Sequence, residues 1–133
     1  MKQLSVFVEN RPGAMIGVLR LIQSCGIQLI SICMADVAEY GLCRILCDKP
    51  GRALDALRGE GLAVSESEIF AVRMKDIPGA AADIVSLISD AGINIAYVYS
   101  FIYDSVPYLA LRTDDGEAAG KIISDNGLKT LDI

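Results

Sequence analysis

The chain has no histidine at all and only four prolines in 133 residues. The side chain that most often moves protons near neutral pH is therefore missing, which removes the usual general acid–base apparatus. Basic residues are outnumbered, 12 against 17 acidic, and a net charge of -5 offers no positive field to a phosphate backbone. Direct nucleic-acid binding is not expected. No apolar run approaches the roughly 20 residues that span a bilayer. The start, Met1-Lys2-Gln3-Leu4-Ser5, carries one positive charge and then an alternating run broken at Asn10-Arg11-Pro12-Gly13, without the apolar centre of a signal peptide. A soluble, cytoplasmic protein with no membrane partner is the expectation. No Cys-x-x-Cys pair occurs either. Cys25, Cys33, Cys43 and Cys47 all fall in the first half, and on an extended strand Cys43 and Cys47 would stand about 13 Å apart at ~3.3 Å per residue. That is too far for one metal, so the thiols read as reduced, small core hydrophobes. No metal and no cofactor is implied.

What the chain does have is a globular composition, 53% hydrophobic and 22% charged, and an internal repeat. At an offset of 66 the halves align without a gap. Pro12-Gly13-Ala14 falls on Pro78-Gly79-Ala80, Leu21-Ile22 on Leu87-Ile88, Gly26-Ile27 on Gly92-Ile93, and Gly61-Leu62 on Gly127-Leu128. Val6 with Val72, Asp48 with Asp114 and Ala53 with Ala119 complete 12 identities. They cluster at turns and core positions. Two domains follow, 1–66 and 67–133, each so small that the pair is expected to share an interface and to be rigid across the short Ser65-Glu66-Ser67 connection.

Within each unit the hydrophobic period changes in the same order. Residues 3–8 alternate as a strand; Pro12-Gly13 opens a helix with Met15, Val18, Leu19 and Ile22 on one face; Gly26 stops it. A hairpin follows from Ile27 to about Val37 and from Leu42 to Cys47, with its turn at Glu39-Tyr40-Gly41. A second helix from about Gly51 to Arg58 turns Ala53, Leu54 and Leu57 inward, and a short strand spans Leu62 to Val64. In the second unit the order is strand 69–74, helix 79–91, strands 93–103 and 107–112, helix 116–125 and strand 128–132. This is α+β, two tandem ferredoxin-like βαββαβ units, each an antiparallel sheet with both helices on one face.

Ligand chemistry has one obvious place. At Asn10-Arg11-Pro12-Gly13 a strand hands over to a helix whose unpaired N–H groups and positive dipole end suit a carboxylate, while the Asn10 amide can both donate and accept. The plainer alternative is that Asn10 caps the helix and Pro-Gly turns the chain. In the second unit Asp76-Ile77-Pro78-Gly79 replaces the amide by a carboxylate, and a plain cap is the favoured reading there. Gln28 and Asn94 each place a primary amide where an edge strand starts, and either can be an ordinary turn-exit residue.

A strand, then Asn/Asp-x-Pro-Gly opening a helix, then Gly-Ile-Asn-Ile, twice on a βαββαβ frame, resembles the ACT domain family across nearly the whole chain, and in particular small proteins made of two ACT repeats. The resemblance implies regulation by a free amino acid held between paired ACT units, the first loop of one facing the second strand of another. It assigns the loop role to Asn10, Arg11, Pro12, Gly13, Ala14 and Met15 and the facing amide to Asn94. A mirror site would pair Asp76, Gly79 and Ala80 with Gln28. The run Glu9-Asn10-Arg11-Pro12-Gly13 is similar to the loop of serine-sensing ACT domains, which carry a histidine just before it; Val8 and Met74 stand there in this chain, so serine is not implied.

Tyr97, Tyr99, Phe101 and Tyr103 alternate, where the first unit has Ser31, Cys33, Ala35 and Val37. If Ile95 and Val98 both reach the core, the strand changes face between them and the rings lie on the sheet face without helices, marking an interface; otherwise they are core. A homodimer is expected. Three functions compete. They are an amino-acid sensor without catalytic activity that acts on a separate enzyme or transporter, a protein–protein interaction module without a small ligand, and an enzyme using a cysteine such as Cys25. The last is disfavoured because a helix C-terminus raises a thiol pKa.

Overall fold

Leu4, Val6 and Val8 alternate along β1 (Lys2–Glu9) and are buried, because every second side chain of a strand faces the same way. The computed structural model describes residues 1–133, the side chain of Val37 excepted. The elements that follow are α1 (Ala14–Ser24), β2 (Leu29–Val37), β3 (Tyr40–Cys47), α2 (Pro50–Gly59), β4 (Val64–Glu68), β5 (Phe70–Arg73), α3 (Ala80–Ser89), β6 (Ile95–Tyr103), β7 (Val106–Thr113) and α4 (Gly116–Asp125). They fall into two compact units, residues 2–67 and residues 68–133 together with Met1.

The first unit is a sheet in the order β2-β3-β1-β4. Antiparallel register sets Leu4 opposite Ile45 and Val6 opposite Cys43, and continues both rows to Ile32 and Met34 on β2. Val18 and Ile22 of α1 and Ala53 and Leu57 of α2 close over this face. Leu21, rather than the expected Leu19, packs against that core. The second unit has the order β5-β7-β6 and a core of Val72, Leu109, Leu111, Ile84, Ile88 and Ile123.

Four of the twelve identities at fixed offset trace to helix ends. Gly26, Gly61, Gly92 and Gly127 follow the four helices with φ of 67, 79, 79 and 65°. In each case the next residue's N–H reaches back to a carbonyl five positions earlier: Ile27 to Ile22, Leu62 to Leu57, Ile93 to Ile88 and Leu128 to Ile123. These are Schellman ends, which require a left-handed residue followed by an apolar one. Gly-Ile and Gly-Leu recur because helix termination demands them.

Three expectations need correction. The hairpin turn is Ala38-Glu39, one residue before the expected position, since Val37 pairs with Tyr40. The strand expected at 62–64 starts at Val64 and runs to Glu68, because Leu62 is held by the end of α2. Ser65-Glu66-Ser67 is therefore part of a strand, tied at one side chain by Lys2 Nζ to Glu66 Oε1 at 2.8 Å. The strand expected at 128–132 is a single bridge, Val72 to Thr130. Leu128 closes α4, so only the Arg73 N–H to Lys129 O and Leu131 N–H to Ala71 O bonds, 2.7 and 2.8 Å, remain to form a ladder.

Candidate functional site

Arg11-Pro12-Gly13-Ala14 is a type II turn: Gly13 has φ 87° and ψ -18°, and the Ala14 N–H donates to the Arg11 carbonyl at 3.4 Å. Ile77-Pro78-Gly79-Ala80 repeats it, with φ 85° and ψ -7° at Gly79 and a 3.3 Å bond from Ala80 N–H to Ile77 O. Proline presets the first central residue and glycine allows the second. Neither α1 nor α3 has a side-chain cap. The capping alternative for Asn10 and for Asp76 is thus overturned: the glycine occupies the cap position, three residues after either side chain. By contrast the Asp115 carboxylate caps α4 by accepting from Ala118 N–H.

Beside the first turn lies a groove of about 350 Å³ lined by Glu9, Asn10, Arg11, Met15, Met34, Asp36 and Gly41. The loop residues expected to act together thus divide. Asn10, Arg11 and Met15 line the groove, while Pro12, Gly13 and Ala14 shape the turn without lining it. Arg11 Nε donates to Glu9 Oε2 on an exposed ion pair. Met34, Asp36 and Gly41 were not legible from sequence. Their signal is the strand register, which puts Val8, Gly41 and Asp36 in one row across β1, β3 and β2. Gly41 leaves room that Met34 fills; a Cβ there would run into the Met34 sulfur.

The corresponding positions at the second turn are Lys75, Asp76, Ile77, Ala81, Ser100, Ile102 and Pro107. Arg11 has become Ile77, 58% exposed, and Asp36 has become Ile102, 71% exposed. Asp76, Gly79 and Ala80 keep the turn but not the charge arrangement of the first copy.

Gln28 and Asn94 serve their own units. Gln28 N–H donates to Asp48 Oδ1 at 3.0 Å and Asp48 N–H to Gln28 O at 3.1 Å. Asn94 Nδ2 donates to Asp114 Oδ2 at 2.8 Å and Asp114 N–H to Asn94 O at 3.1 Å. The repeated Asp48 and Asp114 thereby clamp the start of each edge strand. A nine-residue strand, roughly 30 Å long, separates each amide from its own unit's loop. Each amide lines a different groove, of about 430 Å³ around Gln28 and about 660 Å³ around Asn94.

The face change on β6 is present: the register shifts between Ile95 and Tyr97, and the same shift occurs between Leu29 and Ser31 on β2. Ile95 packs against the core, whereas Tyr97, Tyr99, Phe101 and Tyr103 follow the face opposite to Leu109 and Leu111. Tyr97 stacks on Tyr99 with centroids 6.5 Å apart and Phe101 on Tyr108 at 5.6 Å. Val98 does not reach the core. It is 46% exposed, while Phe101 is 8% exposed and the three tyrosines are half-buried. The freely exposed large apolar residues of the strand are Val98 and Ile102, not the rings.

All four cysteines are free, Cys43 and Cys47 inside the core and Cys25 against it. Burial, assisted by Cys33, pushes the Cys43 thiol up to about 11, and burial raises Cys47 as well. Among the described residues no helix is long and apolar enough to cross a membrane.

Two βαββαβ-like units in one chain, each opening its first helix with a Pro-Gly turn, define a duplicated ferredoxin-like protein. The chain belongs to the ACT domain family, whose ACT domain pair matches residues 1–132. It is similar to protein BT0572 from Bacteroides thetaiotaomicron, with 28% identity, a TM-score of 0.91 and coverage of 98% of this chain and 90% of that one. The regulatory subunit of aspartate kinase from Thermus thermophilus shares the fold at 18% identity and a TM-score of 0.65, covering 93% of this chain and 91% of that one. The regulatory subunit from Thermus flavus does so at 17% and 0.64, with 93% and 90% covered. No curated protein matches the chain.

Proposed function

We propose that this protein is a non-catalytic regulator that binds a free α-amino acid at the loop opening α1. The groove beside Asn10, Arg11 and Met15 carries the reading. It sets a guanidinium and two carboxylates, those of Glu9 and Asp36, around about 350 Å³ beside an uncapped helix N-terminus, near the lower end of the roughly 300–1,000 Å³ typical of small-molecule sites. A ligand carboxylate meets Arg11, Asn10 and the positive helix end; Pro12, Gly13 and Ala14 hold that geometry. Asn94 is the amide offered by an ACT unit that faces the loop. The mirror arrangement of Asp76, Gly79 and Ala80 with Gln28 is the weaker site, since Asp76 repels a carboxylate and Ile77 supplies no cation.

Regulation acts on a separate enzyme or transporter. The likeness to regulatory subunits of aspartate kinase supports an enzyme as the partner. The effector-bound form is a homodimer, formed in a cytoplasm that keeps the four free thiols reduced. A strictly monomeric species in sedimentation at working concentration would count against the dimer. The competing reading, an interaction module with no ligand, is favoured by the exposure of Val98 and Ile102.

Thermal denaturation against each of the twenty amino acids separates the two. One or a few members are expected to raise Tm by several degrees, since ligand at 100 times Kd stabilises by about 2.7 kcal/mol. Silence from all twenty favours the interaction module.

A further inference from the structure

The groove beside the first turn has three chemically distinct parts, and together they specify more than an amino acid in general. Glu9 is taken up by Arg11, which leaves Asp36 as the lining carboxylate with no ion pair among the described residues. Asp36 stands at the end of β2, opposite Gly41, whose missing side chain leaves room for the Met34 thioether beside it. The rest of the lining is two thioethers. Met15 packs against the core from the first turn of α1, and Met34, 44% exposed, lies across Gly41 from the next row of β2.

We propose that this groove selects an α-amino acid with an extended apolar side chain, Asp36 receiving its ammonium group while Met15 and Met34 enclose the side chain. The proposal rests on the amino-acid reading above and gives it a substrate class. A zwitterion needs a cation for its carboxylate and an anion for its ammonium; Arg11 and Asp36 line one groove with opposite signs. Once those polar groups engage the ligand's backbone, its side chain meets methionine. Thioether sulfur is a weak acceptor, so a ligand hydroxyl or charge placed there loses water without gaining a partner. Methionine instead adapts its shape to aliphatic groups of varied outline. The second copy has none of this: Ala81, Ser100 and Ile102 stand where Met15, Met34 and Asp36 do.

Titration calorimetry on the full chain with L-leucine, L-methionine, L-alanine, L-serine and 4-methylpentanoate tests it. A fully buried methylene is worth roughly fourfold in affinity, so leucine and methionine should bind at least about tenfold tighter than alanine or serine. Leucine should also bind at least about tenfold tighter than 4-methylpentanoate, which is leucine without its amine. Asp36→Asn should close that second gap, and Met34→Ser should narrow the first. Both side chains are exposed, so neither variant disturbs the core. Equal affinity for serine and leucine, or an unchanged leucine-to-4-methylpentanoate ratio in Asp36→Asn, overturns the proposal while leaving amino-acid binding standing. Failure of every amino acid to bind removes the underlying reading, and this one with it.

Discussion

The two turns have nearly the same backbone and different chemistry. Gly13 and Gly79 differ by 2° in φ, both helices start without a side-chain cap, and both edge strands carry the same register shift. Around that common frame Arg11 faces Ile77 in the alignment, Asp36 faces Ile102, and Met34 faces Ser100. Duplication has preserved what backbone geometry demands and released what it does not. A residue that terminates a helix has few substitutes, whereas a groove-lining side chain at the end of a strand can be exchanged without cost to folding.

Deep core substitutions give the largest expected effect and should be indifferent to the copy. Ile22 and Ile88 occupy equivalent core positions and are both buried. Ile22→Ala and Ile88→Ala should each lose about 2–5 kcal/mol, read as midpoint shifts in urea. A large difference between them would mean that the units diverge in packing as well as in chemistry.

Alkaline pH should then separate the copies, because the second contains no cysteine and Leu109 stands in place of Cys43. The Cys43 thiol is raised from its ordinary 9.0 to about 11. Between those values the unfolded chain loses a proton that the folded chain keeps, so stability must fall as pH rises from about 9 to 11. The loss should reach about 2 kcal/mol and be reduced in Cys43→Ala, measured as the pH dependence of unfolding relative to wild type.

Substitution at the turns should decouple stability from binding. A Cβ at Gly13 or at Gly79 meets nothing within 4 Å, so alanine costs only its left-handed backbone, roughly 1–2 kcal/mol in either unit. Gly13→Ala should also weaken amino-acid binding, by shifting the turn that carries Arg11; Gly79→Ala should not. Equal losses of affinity in calorimetry would mean that the second turn binds too.

How far the sequence carried this comparison depended on the kind of feature. Pro12-Gly13 and Gly26-Ile27 act locally, through φ and a hydrogen bond a few residues away, so the order of elements and the duplication could be read directly. The groove could be read only in part. Arg11 and Met15 lie next to the turn, but Met34 and Asp36 arrive through pairing of β2 with β3, and their alternation alone does not say that they flank a loop more than twenty residues earlier. The last strand failed for a similar reason. Residues 128–132 alternate acceptably, yet Leu128 is claimed by the end of α4. Side-chain caps also misled, because a type II turn inserts its glycine between Asn10 and the helix.

The smallest expected effect lies at the second helix of each unit. Asp115, at φ -133° and ψ 87°, caps α4 through Ala118 N–H at 3.1 Å, whereas its counterpart Lys49, at φ -136° and ψ 70°, precedes α2 with no side-chain cap. The backbone is therefore already in place for a cap that the first unit lacks. A short acceptor at position 49 would reach the Arg52 N–H as Asp115 reaches Ala118. Lys49 itself contributes an exposed 3.4 Å bond to the Gly26 carbonyl, which is long enough to be worth little. Lys49→Asn should accordingly stabilise by about 0.5–1 kcal/mol, and Asp115→Ala should destabilise by about 1 kcal/mol, both from denaturant midpoints. Asparagine is chosen over aspartate because Asp48 is adjacent and a second carboxylate would oppose the gain. A neutral or destabilising Lys49→Asn would show that the likeness of the two backbones at this position does not extend to the N–H groups they present.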